Sequence, residues 1–304
     1  MFTFSQKRLH FSGLIKRISY MTLKPIFNNF VLIFILSVLF FEYAHADFKI
    51  IIMQDNKGAA SKFRPLIDYF DHKGIKVSFV AAKNYPHAAK MFSQGGADGM
   101  FSGSGIAGCM IIKELAKPIV RPVNIEGWST YWAVVLAPKG SSRFTQTAEY
   151  FQNKRVIFCG LASSGEFFYR ASTGNSIIDA IILKASSHGA AIDALSRGSA
   201  DIAIVKNRVW DKVRASYQNI TRVGEDPGEN PDGTLIVSRQ TDQKMIEKIS
   251  STLLGLNNDS SPQAQLIKKT LKITSYISTD INDFHFTIDL LKRAGVNKSF
   301  DFTF

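Results

Sequence analysis

A strand–helix–strand alternation that occurs twice along this chain constrains its fold more than any other feature. Lys49 to Met53 is an apolar run of strand length, and Phe63, Leu66, Ile67 and Phe70 recur at helical spacing before Gly74, where a helix can stop. Ile75 to Ala81 predicts a second strand, Tyr85 to Phe92 a helix closed by Gly95 and Gly96, and Gly99 to Phe101 a third strand. The order returns downstream, with strands at Arg155 to Cys159, Ala180 to Lys184 and Ile202 to Val205 and helices from Gly165 and over Ala190 to Leu195. Such alternation implies parallel strands bridged by helices. The expected class is therefore α/β, with two similar halves, each a mixed, mostly parallel sheet flanked by helices.

Between the halves, Tyr131 to Ala137 reads as an apolar strand ended by Pro138-Lys139-Gly140, and Leu235 to Ser238 follows the Gly- and Pro-rich stretch from Gly224 to Gly233. These are two crossings. Residues 47–134 with 235–304 would form lobe I and 135–234 lobe II. Beyond the second crossing only helical patterns are read: Met245, Ile249, Leu253 and Leu256 on one face, then Leu266 to Ile273 and Ile288 to Ala294. This tail is expected to pack on lobe I. A chain that leaves one lobe, builds another and returns encloses a cleft, with the crossings as hinges.

The N-terminus reads as a secretory leader. Phe30 to Phe41 is apolar apart from Ser37 and is followed by Ala44-His45-Ala46, so a cut after Ala46 is expected, with Met21 as the start. The apolar run is too short to span a bilayer, and no cysteine follows it closely. Without the leader's five Lys/Arg and one acid, 32 basic residues face 24 acidic ones. An excess of that sign favours anionic partners, and the scatter of the basic residues argues against nucleic acid. Cys109 and Cys159 both lie in apolar contexts and are expected to be buried thiols, not a bridge.

Three turns place hydroxyls at helix starts. Ser102-Gly103-Ser104-Gly105 leaves a strand and opens the apolar helix Ile106 to Leu115; Ala162-Ser163-Ser164-Gly165 repeats the arrangement; Ser186-Ser187-His188-Gly189 adds an imidazole. The first amides of a helix have no partner within it, and they attract anions. Serine is also an ordinary N-cap, so it is the recurrence in equivalent places that points to a site. Gly103-Ser104-Gly105 lacks a third glycine and a following lysine, which disfavours nucleotides. Asp98 and Asp201 occupy matching helix-to-strand turns and read as turn residues.

Asn84-Tyr85, Gly96-Ala97-Asp98, Gly127 to Tyr131, Ser163-Ser164-Gly165, Ser187-His188 and Ala200-Asp201, in this order, resemble the phosphate/phosphite/phosphonate-binding proteins of ABC transporters. The resemblance runs from about Phe48 to Arg239. It implies a two-lobed type 2 periplasmic binding fold with two hinge crossings. It also implies that Tyr85 supplies a phenol from the first lobe, that Ser163, Ser164 and Gly165 bind oxyanion oxygens at their helix start, and that His188 completes the cradle. Ser102, Ser104 and Tyr131 are added as cleft contacts, with Trp128 near the hinge and Trp132 in the core. The donors are thus expected to be neutral groups at helix starts, not charged residues.

The chain departs from the family at Ala107, where many relatives carry a ligand-facing tyrosine, and at Ala162, where a hydroxyl often begins the cluster. Arg208 and Thr234 stand where aminophosphonate binders hold the amine with acids, so an aminoalkyl ligand is not expected. Arg208 is instead kept as a contact to a second negative group. The implied function is a periplasmic, monomeric binding protein that hands a small oxyanion to an ABC permease, without enzyme activity, cofactor or metal. Two alternatives use the same cleft: a sensory module feeding a membrane kinase, and an enzyme with His188 as base and Cys159 or a serine as nucleophile. The second lacks an orienting third group in the sequence.

Overall fold

Both strand–helix–strand units form, and each seeds a sheet of its own. The computed structural model describes residues 47–53, 60–174 and 176–302. The expected leader over residues 1–46, with its start at Met21 and cut after Ala46, lies outside the described residues. The first unit comprises β1 (Phe48–Met53), α1 (Arg64–His72), β2 (Val77–Ala82), α2 (Tyr85–Ser93), β3 (Gly99–Ser102) and α3 (Ser104–Ile112). Then follow β4 (Ala116–Asn124), β5 (Thr130–Tyr131) and β6 (Ala133–Pro138). The second unit comprises β7 (Arg155–Cys159), α4 (Ser164–Thr173), β8 (Ile181–Ala185), α5 (His188–Ser196), β9 (Ile202–Lys206) and α6 (Asn207–Val213). After it come β10 (Ile220–Glu225), β11 (Asn230–Pro231), β12 (Thr234–Ser238), α7 (Gln243–Gly255), α8 (Pro262–Leu271), β13 (Ile273–Ser278) and α9 (His285–Arg293).

The first sheet has the order β13-β4-β12-β3-β1-β2 and the second β10-β6-β9-β7-β8. β1 pairs in parallel with β2 and β3, and β7 does so with β8 and β9, as the alternation requires. The returning strands run antiparallel: β12 lies between β3 and β4, and β6 between β9 and β10. The sheets are mixed as expected, but the parallel pairs are confined to these units. In β1, Ile50 and Ile52 face one apolar cluster and Ile51 the other, because both faces of the sheet are covered. The two crossings pair with each other as the ribbon β5–β11, with Tyr131 opposite Asn230 and Thr130 opposite Pro231.

Four strands do not show in the sequence pattern, the two-residue β11 among them. β4 carries Pro118 and Pro122, which lack the amide a ladder needs, yet it lies inside the first sheet, with a register shift where it meets β12. β10 and β13 also have register shifts, between Arg222 and Gly224 and between Ile273 and Ser275. Each shift breaks the period-two alternation that marks a strand in sequence. The tail is therefore not wholly helical.

Nor does the tail serve lobe I alone. α9 sends Leu291 into the first-lobe cluster with Ile106 and Met110, and Leu290 into the second-lobe cluster with Val135 and Phe168. Its Thr287 donates to Asn230 Oδ1 at 2.7 Å, which fastens the returning crossing to the helix. The expected apolar helix Ile106 to Leu115 starts two residues earlier, at Ser104, and stops at Ile112. Among the described residues no helix is long and apolar enough to cross a membrane.

Candidate functional site

Parallel strands point their carboxyl ends the same way, and the turns that follow them converge. β2 leads to Asn84-Tyr85, β3 to Gly103-Ser104, β7 to Gly160 through Ser164, β8 to Ser187-His188, and β9 ends on Lys206. Ligands of open α/β sheets bind at these ends. Here Tyr85, Gly103, Gly105, Ile106, Tyr131, Ala162, Ser163, Ser164, His188 and Lys206 enclose a cavity of about 20 Å³. Two wider grooves, of about 630 and 800 Å³, are each lined from a single lobe, the second with help from the C-terminal tail, and lack this convergence.

The two lobes touch across this cavity. A Cβ at Gly105 would stand 3.0 Å from the Phe167 ring and 3.4 Å from the Ala162 carbonyl, so the start of α3 lies flat against the second-lobe turn. Phe167 and Ala162, from lobe II, belong to the same apolar cluster as Ala107 of lobe I. Ala107 and Ala162 thus share one apolar cluster, and only Ala162 lines the cavity. Gly165 has no room for a side chain, because its Cβ would meet the Ile204 carbonyl oxygen at 2.9 Å.

The hydroxyls divide into two kinds. Ser163 is the N-cap of α4: its Oγ accepts from the Glu166 amide and donates to the Gly160 carbonyl at 3.0 Å. Glu166, buried, reaches back to the Ala162 amide and is held by Arg170 at 2.8 Å. The Ser-x-x-Glu pattern was readable in the sequence and was missed, although the carboxylate here accepts from the residue before the N-cap and not from the N-cap amide. Ser102 donates to the Gly103 carbonyl at 2.9 Å, so its hydroxyl is also committed.

Ser104, Tyr131 and Ser164 are different. Ser104 Oγ lies 2.6 Å from Tyr131 Oη, and Ser164 lines the same cavity, so hydroxyls from lobe I, hinge and lobe II gather at one place. The Ser104–Tyr131 bond uses one of that pair's two protons and leaves the other able to point outward. Burial raises the Tyr131 phenol's pKa and pushes that of Tyr85 up to about 12, so both remain protonated donors.

His188 is the first residue of α5, whose N-cap Ser187 accepts from the Ala190 amide at 3.1 Å. Its ring is part-exposed, but its Nδ1 is fully enclosed and has no hydrogen-bond partner. Thr234 Oγ1 is likewise buried and unpartnered, at the cleft end of β12 opposite Ser102. Burial first, and then the Lys206 charge, pull the His188 pKa down to about 3, against a smaller pull from Asp232. The unfolded chain binds a proton at this position below about pH 6.5 while the folded one does not, so stability is whole above that pH and is lost as pH falls toward about 3. At pH 5 the difference is about 2 kcal/mol. Thermal unfolding from pH 7 to 4 should therefore be steeper in pH for the wild type than for His188→Asn; equal slopes would contradict this.

Lys206 was not anticipated from sequence. Its Nζ lies 2.7 Å from Asp232 Oδ1 and 4.2 Å from the centre of the Tyr131 ring. Burial alone would lower its pKa, but Asp232, Tyr131 and Tyr85 outweigh it and the net direction is up, so it stays an ammonium. The signal available was its place as the last residue of a parallel strand. Arg208, expected to face the ligand, instead pairs with the second oxygen of Asp232 and does not line the cavity. The cavity lining thus includes one charged group beside the neutral ones.

Trp128 is half exposed in the turn before β5, away from the lining, and Trp132 is part-buried with its Nε1 donating to Glu225 at 2.9 Å. Asp98 and Asp201 are turn residues in both halves, accepting the amides of Lys49 and Arg155 at 2.8 Å each. Cys109 is buried, with its pKa raised by that burial, and Cys159 is half-buried; they form no bridge.

Residues 48–284 match the family described as ABC transporter, phosphonate, periplasmic substrate-binding protein. No curated protein matches the sequence. Among solved structures, XAC2383 from Xanthomonas citri bound to chloride is similar at 15% identity and a TM-score of 0.67, over 81% of this chain and 96% of that one. PhnD1 from Prochlorococcus marinus in complex with methylphosphonate has 14% identity, a TM-score of 0.63 and coverage of 81% and 97%. A binding-protein component of an ABC phosphonate transporter from Pseudomonas aeruginosa has 14% identity and a TM-score of 0.61, with coverage of 81% and 86%. At these identities the likeness is one of fold.

Proposed function

Because this chain belongs to the family of periplasmic substrate-binding proteins of phosphonate ABC transporters, we propose that it captures a small oxyanion of the phosphate, phosphite or phosphonate class by lobe closure and delivers it to a permease. The observation that carries this reading is one cavity enclosed by helix starts from both lobes, with the unpartnered Nδ1 of His188 in its wall. The open amides of Ser104, Gly105, Ser164, Gly165, His188 and Gly189, with Tyr85, the Ser164 hydroxyl and the outward proton of the Ser104–Tyr131 pair, are donors suited to tetrahedral oxygens. Binding would start on one lobe, and closure would exclude water so that each ligand oxygen meets a donor. An unpaired buried oxygen costs about 1 to 3 kcal/mol, which is how the donor geometry would select among anions.

The test is calorimetry and thermal shift with phosphate, phosphite, methylphosphonate, 2-aminoethylphosphonate, sulfate and molybdate. A cognate anion at a hundred times its Kd should add about 2.7 kcal/mol of stability. A flat response to the whole panel would overturn the oxyanion reading.

A further inference from the structure

We propose that Lys206 is a direct oxyanion contact and the residue that sets the charge class of the cargo, favouring compact, fully ionised oxyanions over zwitterions that carry an ammonium group. This inference rests on the oxyanion reading above and assigns a specificity residue within that site.

The argument is one of charge and room. Lys206 closes the cavity from the end of β9, where it stands opposite Ala133 at the start of β6, beside the first crossing. Two cations, Lys206 and Arg208, share the single carboxylate of Asp232, one on each oxygen. The group of three keeps one net positive charge. His188, on the same wall, adds none.

An ammonium has three donors. Among the described residues, the hydrogen bond of Lys206 goes to Asp232, and the Tyr131 ring lies under the same nitrogen. Asp232 is itself fixed by the hinge, since its amide donates to the Ser129 carbonyl at 3.0 Å. The ammonium is therefore held in place before any ligand arrives, with donor capacity left toward the cavity.

A cavity of about 20 Å³ is near the size one water needs, so even a compact oxyanion requires the lobes to part slightly, and a longer substituent requires more. An alkylammonium substituent at this wall would meet Lys206 with no carboxylate to receive it, because both oxygens of Asp232 are already paired. Phosphite, phosphate or methylphosphonate meets no such penalty.

The experiment is calorimetry at fixed ionic strength on the wild type, Lys206→Met and Lys206→Arg, with phosphite, phosphate, methylphosphonate and 2-aminoethylphosphonate. The wild type should bind one of the first three at least tenfold more tightly than the amine. Lys206→Met, in which Asp232 keeps Arg208 as partner, should lose about tenfold or more for that anion, as befits a charge-assisted hydrogen bond, and should lose most of its discrimination against the amine. Lys206→Arg, which keeps a cation able to pair with Asp232, should retain most of the wild-type affinity and discrimination, so the pair stays informative should one variant fold poorly. Anion binding that is unchanged in Lys206→Met, or lost as fully in a folded Lys206→Arg as in Lys206→Met, would overturn this inference alone. A wild type that binds none of the four would overturn the oxyanion reading, and this inference with it.

Discussion

Phe167→Ala is expected to lower the unfolding free energy by about 3 to 5 kcal/mol, as truncation of a fully buried phenylalanine does when its surroundings cannot collapse. Phe167 is fully buried, and its position makes the loss more than local. It hangs from α4 of lobe II but packs in the cluster of Ala107, Ile106 and Leu291, against Gly105 and 6.2 Å from the Phe300 ring. The cavity left behind would open where the second-lobe turn rests on the start of α3. Oxyanion affinity should therefore fall along with stability. Phe168→Ala is the control, because its neighbouring ring is also buried but points into the second-lobe cluster with Val135 and Phe158. Urea unfolding and calorimetry on both variants would check this; an affinity loss that is no greater for Phe167→Ala than for Phe168→Ala would contradict the cross-lobe role.

The second large effect separates two adjacent serines. Ser164→Ala removes a hydroxyl that lines the cavity at the start of α4, and it should weaken oxyanion binding by about 10- to 150-fold, the equivalent of a hydrogen bond to a charged group. Ser163→Ala removes an N-cap whose hydroxyl is already committed to Gly160 and Glu166. It should cost about 1 kcal/mol of stability and only a few-fold in affinity. The double variant should combine the two losses and keep its circular dichroism. If Ser163→Ala proves the more damaging to binding, the division between cap and donor is wrong.

Most of the candidate cradle was legible because it is local. A serine or glycine between an apolar strand and a helix exposes backbone amides whatever the rest of the chain does, so Ser104, Ser163, Ser164, Gly165 and His188 could be read from their own neighbourhoods. Whether each side chain donates to a ligand or caps its own helix was not legible, since Ser163 and Ser164 differ only in which way the turn aims them. The missed strands failed for a related reason. The proline residues of β4 and the register shifts of β10 and β13 erase the alternation, and neighbouring strands, not local propensity, hold those segments extended.

By itself the sequence determined the two strand–helix units, their sheets and the side on which the helix starts would gather, because periodicity and right-handed crossover leave few other solutions. The doubling of that unit already implied a cleft. Only the tertiary structure decided what charge sits in it. Lys206 and Asp232 are 26 positions apart and belong to different elements, so their pairing, and the diversion of Arg208 onto the same carboxylate, depend on how the second crossing returns beside the first. Contacts of that kind arise from packing, and no local pattern records them.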